Sequence, residues 1–101
     1  MEYMPQMPDH HRHHSPHVPV PGPGCEKLTW EPLGPGGMKA RVRDYTCDCQ
    51  PTYYELCQSG GQHFIRRTRR IGDEVVVDEC ARGRHTKTIV IWGKLLAAMV
   101  A

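Results

Sequence analysis

The chain has 101 residues, with 13 basic and 11 acidic side chains and a formal net charge of +2. That length suits one small domain with a modest core, which argues against an enzyme built around a deep pocket. A charge so close to balance does not by itself point to nucleic acid. Its distribution is uneven, because residues 81–101 hold Arg82, Arg84, Lys87 and Lys94 and no acid.

The N-terminal stretch "MEYMPQMPDHHRHH" has no apolar core of the kind a secretory signal carries. The longest apolar run, Ile89 to Ala101, is broken by Gly93 and Lys94 and is too short to span a bilayer. The expectation is a cytoplasmic protein with no membrane partner. In that compartment the five cysteines are reduced, so a disulfide framework is not the first reading.

Residues 1–24 contain six prolines and five histidines. Proline fixes φ and removes backbone donors, and almost no apolar side chain is present to offset the entropy of ordering. The composition predicts a disordered Pro/His-rich tail over 1–24, a flexible linker over 25–37 that includes "EPLGPGG", and a small domain over 38–101. The histidines His10, His11, His13, His14 and His17 bind metals in vitro as any dense imidazole run does. A polar arm is the plainer interpretation, with pH sensing as a specialised one.

In "MKARVRDYT", Met38, Ala40 and Val42 alternate with Lys39, Arg41 and Arg43, which reads as a strand ending before Pro51. Next, "TYYELCQSGGQHFIRRT" places two β-prone runs around Gly60-Gly61. A type I′ turn there needs positive φ at both glycines and opposes Leu56 to Ile65, Glu55 to Arg66 and Cys57 to Phe64. Ile71-Gly72-Asp73 reads as a second turn, "EVVVD" as a strand and "ARGRHT" as a loop. "KTIVIWGKLLAAMVA" begins β-branched but is long enough for a helix, with Ile89, Trp92, Leu96 and Met99 on one face and Leu95 beside them. The expected fold is α+β: a small antiparallel sheet of three to four strands and one C-terminal helix.

The stretch "HFIRRTRRIGDEVVVDEC" sets Arg66, Arg67, Arg69 and Arg70 just before Asp73, Glu74, Asp78 and Glu79. If the two strands pair, acids and bases neutralise one another across the ladder, and each exposed pair contributes about 0.2–1 kcal/mol. If instead one face is basic, these arginines join Arg41 and Arg43, with Arg82, Arg84 and Lys87, to hold nucleic acid or an acidic protein partner. Tyr45, Tyr53, Tyr54 and Phe64 would add stacking on single strands.

Cys47, Cys49, Cys57 and Cys80 supply four thiolates for a zinc site, with His63 and His85 as substitutes. The C-x-C spacing needs a turn to converge its sulfurs. The competing interpretations are buried small hydrophobes and a strained redox pair at Cys47 and Cys49. Cys25, in the linker, is a spectator. No nucleophile elbow, phosphate loop or paired carboxylate with a matching base is present. The residues therefore favour a small non-enzymatic binding or regulatory module with a basic sheet face toward nucleic acid or an acidic partner. The alternative is a zinc-stabilised domain whose Cys/His site mediates protein–protein contact.

Overall fold

The computed structural model describes residues 16–34 and 36–101. The run His10–His14 and residues 1–15 of the disordered tail expected over 1–24 lie outside the described residues, as does Pro35. Among the described residues the chain forms one antiparallel sheet of five strands with a C-terminal helix, the α+β arrangement expected. The strands are β1 (Glu31–Pro32), β2 (Arg41–Tyr45), β3 (Thr52–Ser59), β4 (Gln62–Ile71) and β5 (Glu74–Gly83), and the helix is α1 (His85–Leu96). Their order across the sheet is β1-β5-β4-β3-β2, so β2 to β5 form a meander and β1 closes the far edge.

The sheet thus has one strand more than the sequence pattern predicts. The addition is β1, where Glu31 pairs with Glu79 and Pro32 with Asp78. Two residues are too few to show a period of two, and proline is tolerated because the strand lies at an edge. β2 starts at Arg41, since Gly37–Lys39 winds into a 3-10 turn that takes Met38 out of the strand. β5 runs to Gly83, through residues whose composition reads as a loop.

The β3–β4 hairpin has the register read from the sequence: Leu56 with Ile65, Glu55 with Arg66 and Cys57 with Phe64. The turn itself differs. Gly60 has φ 61°, whereas Gly61 does not occupy the positive-φ region. Glycine freedom is needed only at the first central position, the pattern of a type II′ rather than a type I′ turn. The β4–β5 turn repeats the device with Gly72 at φ 60° and Ile71 opposite Glu74.

Strand alternation divides the core. Leu56, Ile65 and Cys80 share the face covered by α1 and pack with Trp92, Leu95 and Val100. Cys57, Phe64 and Arg66 point to the opposite face, where Arg66 Nη1 donates to the Gly37 carbonyl at 2.7 Å. There the Gly34 amide also donates to Glu79 Oε1 at 2.7 Å. Gly37 is held so close to Leu33 that an added Cβ would come within 2.4 Å of its side chain.

α1 buries Thr88, Trp92 and Leu95, an i, i+4, i+7 stripe. Trp92 and Leu95 are buried as the predicted face requires, but Thr88 replaces its edge residues Ile89 and Met99, which are 37% and 59% exposed. The polar anchor explains the rotation: the Thr88 hydroxyl lies 2.7 Å from the Ala81 carbonyl oxygen and is fully buried. After the helix, Ala98 takes φ 58° while its amide reaches Leu95 O and the Met99 amide reaches Lys94 O, a Schellman closure. The chain end is strapped to the segment before the sheet, with Ala101 N–H to Glu26 O at 2.9 Å and Leu28 N–H to Ala101 O at 2.8 Å.

Candidate functional site

The arginine block is engaged from within the fold. Arg66 meets Glu55 Oε1 through Nε at 3.0 Å and Nη2 at 2.9 Å, and the pair is buried. Arg67 forms a fork with Asp78, Nε to Oδ1 at 2.8 Å and Nη2 to Oδ2 at 2.6 Å, and its guanidinium lies 4.1 Å from the Trp30 ring centre. Arg69 shares Asp78 at 3.2 Å. Arg70 donates to two loop carbonyls, Asp48 O at 2.7 Å and Gln50 O at 3.3 Å.

Arg82 forks onto Glu79 with both contacts at 2.6 Å and lies over the Phe64 ring. That pairing with Arg82, aided by the Gly34 amide, holds the Glu79 carboxyl below its ordinary range against the opposing effect of burial. The same contact raises Arg82. Arg41, Arg43, Arg84 and Lys87 are exposed and form no ion pair among the described residues.

The four cysteines considered for zinc do not converge. Cys57 and Cys80 point to opposite faces of the sheet, since Cys57 opposes Phe64 and Cys80 opposes its neighbour Ile65. Both are buried, and burial pushes the Cys80 thiol up to about 12, so it behaves as an inert hydrophobe. His63 and His85 stack edge-on at 4.7 Å, where β4 begins and α1 starts. Burial, then His85 and Arg43, hold His63 below its ordinary value.

Cys47 and Cys49 do converge. The β2–β3 connection turns tightly and brings their sulfurs to 3.1 Å. A third donor completes the group: His17 Nε2 lies 3.3 Å from Cys49 Sγ, and all three ligand atoms fall within 4.8 Å of one another. The contact with Cys47 is the largest cause raising the exposed Cys49 thiol.

Several bonds fix this loop. Cys47 N–H donates to Pro16 O at 3.0 Å, drawing the arm onto the loop. The Gln50 side chain approaches His17 Nδ1 at 3.4 Å, which leaves Nε2 toward the sulfurs. Tyr54 N–H donates to Thr46 Oγ1 at 3.0 Å, and Arg70 N–H to Pro51 O at 2.8 Å. Beside the cluster lies a cleft of about 270 Å³, lined by Val18, Tyr54, Leu95 and Val100 among others.

Composition groups His17 with the histidine run, which is why it is absent from the sequence-derived ligand set. The separating signal is local. Ser15-Pro16 sets it apart from the run, and the apolar "VPVP" after it lines the cleft. Among the described residues no helix is long and apolar enough to cross a membrane. No known family model, curated protein or solved structure matches the chain.

Proposed function

We propose that this is a small binding module that holds one thiophilic cation at Cys47, Cys49 and His17. The observation that carries this reading is the approach of two sulfurs and one imidazole nitrogen to within 4.8 Å, from a loop and an arm remote in sequence. Thiolate and imidazole are the donors that zinc and copper favour. A bound ion would tie residues 16–21 to the sheet and add binding energy to the fold of a small domain. Native mass spectrometry of the full chain tests it. One tightly held cation per chain should disappear when Cys47 and Cys49 become serine and persist in Cys57→Ser. Equal binding by the double variant would overturn the assignment.

A second reading keeps the module's basic surface for nucleic acid or an acidic protein. It is supported by the exposure of Arg41, Arg43, Arg84 and Lys87. All four lie near one end of the sheet: Arg41 opposes Gln58 and Gln58 opposes His63, Arg43 acts on His63, His63 stacks on His85, and Arg84 and Lys87 flank His85. The first turn of α1 has no acid to offset them. Arg66 and Arg67 are engaged by Glu55 and Asp78, which favours the exposed set for this surface.

A further inference from the structure

We propose that the cation selected by the cluster is copper(I), held in a trigonal set by Cys47 Sγ, Cys49 Sγ and His17 Nε2. This deepens the metal-binding reading above and rests on it. The number of donors is the first argument. Among the described residues the group contains three ligands, Cys47, Cys49 and His17, and no fourth. Structural zinc takes four protein ligands in a closed tetrahedron, and a set of two cysteines and one histidine holds zinc only with water or substrate in the fourth position. Copper(I) has a filled d shell, prefers soft sulfur and is satisfied by two or three donors.

Access is the second argument. Cys49 and His17 are exposed and Cys47 is buried, so an ion can enter from solvent and still meet one anchored thiolate. The third argument comes from the segment that delivers His17. In sequence it also carries Met1, Met4 and Met7, three of the chain's five methionines, together with His10, His11, His13 and His14. Thioether sulfur is a ligand for soft ions such as copper(I), whereas imidazole alone would serve zinc equally well.

Charge fits as well. Binding exchanges two thiol protons for one copper(I) ion, so the centre gains a single negative charge. The Arg70 guanidinium, bonded to the Asp48 and Gln50 carbonyls at 2.7 and 3.3 Å, places a positive group on the same loop. No change of oxidation state is involved.

The test is an anaerobic titration of the full chain with copper(I) against bicinchoninate, with X-ray absorption at the copper edge on the 1:1 complex. The expected result is one tight copper(I) with two sulfur neighbours and one nitrogen neighbour, two protons released, and no displacement by excess zinc. Cys47→Ser and Cys49→Ser should each weaken it by more than about 100-fold. His17→Ala should leave a two-sulfur centre. If Cys47 and Cys49 are required but the site holds four-coordinate zinc that copper(I) does not replace, the copper assignment fails and the metal site stands. If the double serine variant binds copper(I) as the wild type does, both fail together.

Discussion

The indole N–H of Trp92 donates to Asp44 Oδ2 at 2.9 Å, across a sequence separation of 48 residues. The contact depends on a bulge. Val42 opposes Cys57 and Asp44 opposes the next residue, Leu56, so Arg43 is the extra residue and Asp44 turns to the helix face. Asp44→Ala should therefore loosen α1 against β2 and cost about 1.5–3 kcal/mol, the range for a hydrogen bond to a charged group. Chemical denaturation followed by tryptophan emission checks this. Asp44→Asn, which keeps an acceptor, should cost less.

The turn correction gives a paired prediction. Gly60→Val should destabilise the domain by about 1–3 kcal/mol, because a β-branched side chain resists a φ of 61°. Gly61→Val should cost much less, since Gly61 lies outside the positive-φ region and no atom within 4 Å meets its Cβ. Equal melting temperatures for the two variants would contradict the turn geometry.

Much of the sheet was legible in the sequence because its signals are local. Alternation around Gly60-Gly61 fixes which residues face each other, as Leu56 and Ile65 show. What was not legible depends on distant backbone. β1 has two residues and exists only because β5 offers an edge. The α1 face was rotated by Thr88, whose hydroxyl needs the Ala81 carbonyl, a partner that helical periodicity does not reveal. At the candidate site the need for a turn at Cys47 and Cys49 was visible, but the third donor came from an arm whose composition masks it.

Two alanines occupy left-handed backbone. Ala98 closes α1 at φ 58°, and Ala81 has φ 57° where the β4–β5 register shifts between His63 and Ile65. Ala98→Gly should raise stability by about 0.5–1 kcal/mol, since glycine adopts that conformation without steric cost at a position outside the helix interior. A lowered melting temperature would mean that the Ala98 methyl contributes packing that outweighs the strain.

Glu79 should contribute to the acid sensitivity of the fold. Its folded pKa is depressed below the ordinary 4.5, chiefly by Arg82. A depressed carboxylate contributes stability that is present above the unfolded value and is lost as pH falls through the folded one. Stability should therefore decline below about pH 4.5. Glu79→Gln should flatten that part of the profile while lowering stability at neutral pH. Melting curves from pH 7 down to 3 measure it, and an unchanged acid slope in the variant would place the sensitivity elsewhere.

The two sets of basic residues should part company in a nucleic-acid assay. Arg66 sits in a buried pair with Glu55, so Arg66→Gln removes the guanidinium from a buried carboxylate and should cost about 3–5 kcal/mol of stability. Arg43 and Lys87 are exposed and form no ion pair among the described residues, so replacing both with Gln should leave the melting temperature near wild type. If the exposed set contacts phosphates, that double variant should weaken binding to every duplex sequence alike. Each lost contact should also reduce the log–log salt slope by about 0.9. Fluorescence anisotropy at several salt concentrations reads both quantities. A wild-type protein that binds neither duplex nor single strands at low salt would end the nucleic-acid reading and leave an acidic protein as the partner for Arg41, Arg43, Arg84 and Lys87.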